Sequence, residues 1–344
     1  MRALNSAVTG LQAQQTAMDV IGNNIANVNT DGFKASRTDF SDLFYQTLQG
    51  GSDNTNASQV GYGVKVSGVS KDMSTTGETT TNVPTNLFIN GEGYFIVSTD
   101  SASHTAGSTT NNSVPPATVA DYYTRVGNFQ KNASGYLVDA NGNYVMGLDA
   151  TTLAAYQATP ATLPTLHAIS LIGAVFHPTA AGASAANDVK VDANTNISDL
   201  TINSDGTISG TIGSTTGTFE YGVSTGANTS TTTYPPASYA QGNTATYNTD
   251  PIVVALSTFP NDGGLSQAGN TSFTQSVSSG SPTYIQASNG NSTTLISGAL
   301  EQSNVDLARE FTNMIVTQRG FQANSRVITV ADSLLEEIVN LKRS

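Results

Sequence analysis

Apolar residues recur every seven positions at each end of this chain, and that spacing most constrains what it can fold into. Leu4, Leu11, Met18 and Ile25 form one such row, with Ala7, Ile21 and Val28 beside it and Gln14 weakening it. Leu307, Met314, Phe321, Ile328 and Leu335 form another, flanked by Val327, Leu334 and Leu341. This spacing is that of a helical stripe, so both termini are predicted to be amphipathic helices. Asn5 or Ser6 can cap the first, and Asn29-Thr30-Asp31-Gly32 is turn chemistry that stops it. Ser303-Asn304-Val305-Asp306 fits a capping box for the second, with Ser303 as the cap and Asp306 reaching back. No Pro interrupts 304–343, and Gly320 is its one strong helix weakener, costing about 1 kcal/mol relative to Ala. Such a helix is about 55–60 Å long at 1.5 Å per residue, more than a compact small domain needs.

Between the ends the pattern changes to short apolar runs split by turn signals. Val64-Lys65-Val66, Leu87-Phe88-Ile89, Tyr94-Phe95-Ile96-Val97 and Ile252-Val253-Val254-Ala255-Leu256 read as strands. Asn90-Gly91, Asn141-Gly142, Asp205-Gly206 and Asn289-Gly290 mark tight turns. Residues 60–300 are therefore predicted to be all-β, with surface loops at 101–119 and 225–247, where Ser, Thr, Asn and Pro predominate. The expected fold is mainly β with long terminal α-helices that pair as a coiled coil, the β material being inserted between them. Two amphipathic helices cannot bury both stripes fully, so a left-over apolar row must meet another copy or a partner. A head-to-tail contact that does not close generates a helical filament. In the alternative, the helices simply cap a β domain in a monomer.

Composition excludes several classes of function. Only 11% of the 344 residues are charged, the net charge is -12, and Lys190 is the sole basic residue between 151 and 290. Nucleic-acid binding needs clustered Lys and Arg to displace counterions from phosphate, so no nucleic-acid partner is expected. The chain has no Cys, which rules out disulfides and thiolate metal sites. Met1 to Val28 carries Arg2, but its apolar residues are interrupted by Asn, Gln and Gly, so no cleaved secretory signal is expected. No apolar run approaches membrane-spanning length, and no membrane insertion is expected.

Chemistry is equally sparse. His104, His167 and His177 lie in polar segments without carboxylates at ligand spacing. Asp139-Ala140-Asn141-Gly142-Asn143 and Asp192-Ala193-Asn194-Thr195-Asn196 imitate the start of a calcium loop but lack its later Gly and Glu, and read as turns. Gly91-Glu92-Gly93 precedes a strand rather than a helix and reads as a hairpin turn, not a phosphate loop. No nucleophile elbow or Ser, His and Asp grouping stands out. No cofactor, no metal and no enzymatic activity are expected.

The segment Met18-Asp19-Val20-Ile21-Gly22-Asn23-Asn24-Ile25-Ala26-Asn27-Val28-Asn29-Thr30-Asp31-Gly32-Phe33-Lys34 resembles the N-terminal signature of the bacterial flagellar rod and hook proteins. Ser303 to Leu307, continuing through Gln318-Arg319-Gly320-Phe321-Gln322-Ala323-Asn324, resembles their C-terminal signature. Tyr123-Thr124-Arg125-Val126-Gly127-Asn128-Phe129 with Gly135-Tyr136-Leu137-Val138-Asp139 is similar to their first β domain. Ile252 to Leu265 resembles the returning strand of the inner β domain of hook-type members, and the insertion at about 149–249 resembles their outer domain. The resemblance favours the hook over the distal rod, and leaves a secreted β-rich adhesin as a distant alternative.

What the resemblance implies is a structural polymer. Residues 1–32 and 303–344 would form the terminal inner-tube domain, 33–70 a connecting segment, 71–148 with 250–302 an inner β domain, and 149–249 an outer one. Leu4, Leu11, Met18, Ile25, Leu307, Met314, Phe321, Ile328 and Leu335 would carry assembly through a core shared between subunits. The implied partners are other copies in a helical homopolymer, the flagellar rod and hook-filament junction proteins, the hook cap and the flagellar type III export apparatus. The implied location is the extracellular flagellum, reached without a cleaved signal. Phe40-Ser41-Asp42-Leu43-Phe44 matches the short aromatic motif that such subunits present for export; alternatively Phe40 and Phe44 pack against the neighbouring β domain.

Overall fold

The computed structural model describes residues 2–51, 56–102, 104–105, 121–148, 153, 156–157, 163–172, 174–178, 189–191, 195, 197–220 and 251–341. It is mainly β, with one long helix at each end, Arg2–Ala26 and Leu307–Leu341. The chain divides into two compact units, Met1–Ser74 with Ser303–Ser344, and Thr75–Gln302. Of the predicted loop at 101–119, His104–Thr105 form a short strand, and 103 and 106–119 lie outside the described residues, as do the predicted loop at 225–247 and most of the turn at 192–196.

The larger unit is built on the strand Tyr94–Ser98, buried along its whole length. It pairs antiparallel with Asp121–Thr124 (Phe95 opposite Thr124), with Tyr144–Leu148 (Val97 opposite Val145) and with Leu256–Thr258 (Phe95 opposite Leu256). A second, five-stranded antiparallel sheet runs in the order Val189–Lys190, Val175–Pro178, Thr215–Glu220, Ile208–Ile212, Ile197–Ile202. One apolar cluster joins the two, with Phe95, Val97, Phe129 and Val145 from the first and Phe176, Val191, Ile202, Ile208 and Phe219 from the second. This cluster takes residues from both sides of positions 149 and 249. Phe176, Ile208 and Phe219 belong to the common interior.

Turn chemistry is realised as the dipeptides demand. Gly91, Gly142, Gly206 and Gly290 all have positive φ, from 72° to 129°, where only glycine avoids a side-chain penalty. Asp139 shows how its calcium-like segment is spent on the turn. Its Oδ1 accepts the backbone N–H groups of Asn141 and Asn143, both at 2.8 Å, and its Oδ2 accepts Asn143 Nδ2 at 2.9 Å.

Both crossings into this unit run through one ribbon. Glu78–Thr80 pairs antiparallel with Ala299–Glu301, placing Glu78 opposite Glu301. Thr76 Oγ1 donates to the carbonyl of Gln302 at 2.6 Å. Behind the ribbon lies a buried ion pair, Arg125 Nη1 to Glu301 Oε2 at 3.6 Å, with the two side chains 3% and 0% exposed. The guanidinium also donates to the carbonyls of Ile89 (3.2 Å) and Gly91 (2.8 Å), and sits 5.5 Å from the centre of the Tyr94 ring. Glu301 Oε1 accepts the backbone N–H of Thr76 at 3.1 Å. Buried charge tolerated at this density of partners fits the rule that such groups must be paired and hydrogen-bonded.

The smaller unit contains the two helices and an arm made of strands β1 (Ser36–Asp42), β2 (Tyr45–Gln49), β3 (Ser58–Gly61) and β4 (Val64–Lys71). β1 pairs antiparallel with β4, with a bulge between Asp39 and Phe40, and β2 pairs with β3. Residues 33–70, expected as a connection, are thus largely strand. Ser36-Arg37-Thr38-Asp39 has no alternating apolar signal, so its extended state comes from pairing with β4 rather than from local preference.

Candidate assembly interface

The C-terminal helix begins at Leu307, three residues later than expected, and the cap is Asp306 rather than Ser303. Asp306 Oδ1 accepts the N–H groups of Ala308 (2.9 Å) and Arg309 (3.3 Å), and its carbonyl accepts the N–H of Glu310 at 2.9 Å. A carboxylate at this position satisfies two orphan donors and opposes the positive end of the helix dipole. Ser303 instead stays in the extended lead-in, where its Oγ accepts the N–H of Val305.

Two asparagines fix the helix ends to the arm. Asn304 Oδ1 accepts the N–H of Ala35 at 2.6 Å and its Nδ2 donates to the carbonyl of Asp72 at 2.8 Å. Asn24, 1% exposed, grips the backbone of Ser36 at both its N–H (3.0 Å) and its carbonyl (2.8 Å). Lys34 Nζ donates to the carbonyl of Ser74 at 2.7 Å. Neither asparagine stood out as an organising residue in the sequence, because a polar side chain inside a helix or lead-in carries no periodic signal.

The helices pack antiparallel. A β-carbon placed on Gly10 would lie 2.6 Å from Asn324 Nδ2, and one on Gly320 would lie 3.1 Å from Gln14 Nε2. The seam on the N-terminal helix is made of small residues, Ala7, Gly10, Ala13 and Ala17, followed by Ile21 and Asn24. The C-terminal helix meets it with Met314, Thr317, Phe321, Asn324 and Ile328, of which Thr317 is buried. Gly10 and Gly320 are thus explained by close approach of the two backbones, which outweighs their helix cost.

The residues expected to carry assembly are distributed as follows. Met314, Phe321 and Ile328 lie half-buried along the helix pair. Leu4, Leu11, Met18 and Ile25 are half-buried beside the seam rather than in it. Leu307 and Leu335 are exposed, as are Phe311, Ile315, Val316, Val327, Val330, Leu334 and Ile338. Pairing Gly10 with Asn324 and Gln14 with Gly320 brings Arg2 level with position 332. The last nine residues of the C-terminal helix, Ser333–Leu341, therefore run about 14 Å beyond the start of its partner. Phe40 on β1 is half exposed, and Phe44, between β1 and β2, is 85% exposed.

A cavity of about 790 Å³ lies within this unit, lined by Val20, Ile21, Phe40, Lys71, Arg309 and Val316 among others. Burial pulls the Lys71 ammonium down to about 8 from its usual value, as expected for a cation losing water. Asp39 on β1 is held below the ordinary carboxylate range, first by the hydrogen bond from Ser70 Oγ and also by Arg37. His167, in the larger unit, is buried, and among the described residues no three His, Cys, Asp or Glu side chains group as a metal site. The side chains of His104 and His177 lie outside the described set. No helix is long and apolar enough to cross a membrane among the described residues.

Comparison with known proteins agrees with this division of the chain. Residues 4–34 match the family described as flagella basal body rod protein, 113–210 the flagellar hook protein FlgE/F/G D1 domain, and 296–341 the flagellar basal body rod FlgEFG protein C-terminal domain. The flagellar basal-body rod protein FlgG of Bacillus subtilis is 33% identical over 350 residues, covering all of both chains. The flagellar hook protein FlgE of Borreliella burgdorferi is 28% identical over 458 residues, covering 99% of this chain and all of its own. FlgE of Escherichia coli is 29% identical over 434 residues with the same coverage. Paired terminal helices, an intervening β unit and full-length similarity to both kinds of protein lead to one conclusion: the chain belongs to the flagellar rod and hook protein family, the structural subunits of the bacterial flagellar axis.

Proposed function

We propose that this chain is the hook subunit, polymerising into a flexible tube that joins the basal-body rod to the filament and transmits torque while bending. The observation that carries this reading is the run Ile252 to Leu265, which resembles the returning strand of hook-type members; the five-stranded sheet of residues 175–220 overlaps the 113–210 match to a domain common to hook and rod proteins and does not separate the two. The run 303–324, which reads closer to hook than to rod, supports it. So does a surface with only 11% charged residues, because few fixed ion pairs would resist sliding between neighbouring subunits. A distal rod subunit is the second reading, favoured by the identity to the Bacillus subtilis rod protein along both whole chains.

The partners on this reading are further copies, the rod, the hook-filament junction proteins, the hook cap and the type III export apparatus. The subunit reaches the extracellular flagellum without a cleaved signal, with Phe40 and Phe44 presented to the export gate. The exposed position of Phe44 supports that role. Replacing both phenylalanines should stop secretion while the larger unit stays folded; normal secretion of the variant removes the motif from the argument. Immunogold microscopy of detached flagella, with antibody against 149–249, separates the two main readings. Label on the short curved segment is expected, and label confined to the straight shaft establishes the rod instead.

A further inference from the structure

Asn is a chemically labile residue, and it is most reactive where glycine follows, because no β-carbon shields the next backbone nitrogen. The chain has three Asn-Gly pairs, at 90–91, 141–142 and 289–290. The fold restrains the first two. Asn90 ends a strand opposite Thr294, and the carbonyl of Gly91 accepts Arg125 Nη2 at 2.8 Å. A β-carbon on Gly91 would meet Thr293 at 3.0 Å, so this glycine has little room to turn. At the second pair the N–H of Gly142 donates to the carbonyl of Asp139 at 3.1 Å, and the backbone N–H of Asn141 donates to Asp139 Oδ1 at 2.8 Å.

The third pair lies in the turn between the strands Thr283–Ile285 and Thr294–Ser297. Asn289 and Gly290 are both exposed, and a β-carbon on Gly290 would meet nothing within 4 Å. Among the described residues the Gly290 N–H has no hydrogen-bond acceptor. The Asn289 amide makes one long bond, Nδ2 to Gln286 Oε1 at 3.4 Å, beyond the usual range of about 2.7–3.2 Å. The turn is anchored around the pair rather than through it. The N–H of Ser288 donates to the carbonyl of Thr293 at 2.8 Å, and Asn291 Nδ2 donates to the carbonyl of Gln286 at 2.9 Å.

We propose that Asn289 is a self-modification site, converting to isoaspartate and aspartate in the folded protein. The Gly290 nitrogen attacks Asn289 Cγ. A bond forms between them, the Cγ–Nδ2 bond breaks, and Nδ2 leaves as ammonia, the proton lost by the Gly290 nitrogen being made up on it through solvent. Water then opens the cyclic imide. Opening at the backbone carbonyl of Asn289 gives isoaspartate, and opening at Cγ gives aspartate. The reaction needs no reagent but water. Its product replaces the amide donor facing Gln286 with a carboxylate and adds to a net charge already at -12. Conversion accumulates with time, so one position records the age of each subunit. The site depends on neither the hook nor the rod reading.

The folded full-length chain is aged in mildly alkaline buffer and followed by peptide mass spectrometry. Isoaspartate is counted by labelled methyl transfer from S-adenosylmethionine with a protein-isoaspartate methyltransferase. Conversion at 289 should run several-fold faster than at 90 or 141. In guanidinium, where the restraints on the other two pairs are gone, the three rates should converge. Asn289→Ser should remove most methyl acceptance from the aged folded protein while leaving its tyrosine near-ultraviolet dichroism unchanged. Equal rates at the three pairs in folded protein, faster conversion at 141 than at 289, or undiminished methyl acceptance in Asn289→Ser would each overturn the proposal.

Discussion

Replacing Arg125 with Met is the sharpest single test of what holds the β unit together. The change keeps most of the stem volume but strips Glu301 of the guanidinium 3.6 Å away, at a site where neither side chain meets water. A carboxylate left buried without its cation costs about 3–5 kcal/mol. Unfolding can be followed by tyrosine near-ultraviolet dichroism, since the chain has no Trp and its tyrosines, apart from Tyr45 and Tyr62, lie in 75–302. With a urea slope of about 3 kcal/mol per molar for a unit of this size, the midpoint should fall by about 1–1.7 M. The double variant Arg125→Met, Glu301→Leu removes both charges; beyond the Ile89 and Gly91 carbonyls that the single variant already leaves without the guanidinium, it strands the Thr76 donors, a loss of about 1–3 kcal/mol. It should therefore be more stable than Arg125→Met alone. A midpoint shift under about 0.3 M for the single variant, or a double variant no better than the single, would refute the view that the ion pair is a coupled element.

The helix seam gives a paired prediction. Gly10→Leu forces Asn324 aside and should destabilise the smaller unit by about 1–3 kcal/mol, while Gly22→Ala, with open space at its β-carbon, should gain up to about 1 kcal/mol; helical dichroism against temperature reads both. Phe321→Asp should abolish polymerisation in the electron microscope while leaving the tyrosine dichroism of the β unit intact. Lys71 titrates lower when folded, near 8, than the usual 10.5, so the unfolded chain binds more protons between those values and stability should rise with pH across that window. Lys71→Met should flatten that rise, as measured by urea midpoints at pH 7.5 and 10.

Much of this architecture was legible in the residues. The turn dipeptides placed glycine where φ is positive, and the absence of Pro after 304 foretold a helix passing unbroken through Gly320. The C-terminal heptad row includes Met314, Phe321 and Ile328, which lie along the helix pair, whereas the N-terminal row of Leu4, Leu11, Met18 and Ile25 lies beside the seam. The seam is built from Ala7, Gly10, Ala13 and Ala17, whose value lies in letting backbones approach, and small side chains add almost nothing to an apolar count. The helix cap moved from Ser303 to Asp306 because Asn304 holds the preceding residues extended against Ala35 and Asp72, a contact 269 residues distant in sequence and invisible to local capping rules. Across 149–249 the composition is set by polar segments, whereas scattered Phe and Ile set the packing.

The ribbon of Glu78–Thr80 with Ala299–Glu301 has a kinetic consequence. Bringing Asn304 to Ala35 in an unfolded chain closes a loop of 269 residues, whereas a folded β unit already holds 76 and 302 together. Shortening the effective loop to about 43 residues lowers the closure cost by roughly 1.6 kcal/mol. The terminal helices should therefore find each other only after the middle of the chain has folded, with pulsed hydrogen exchange protecting 78–80 before 7–17. Until then the assembly rows stay dispersed on separate, frayed segments, and a half-folded chain offers neighbouring subunits nothing to join.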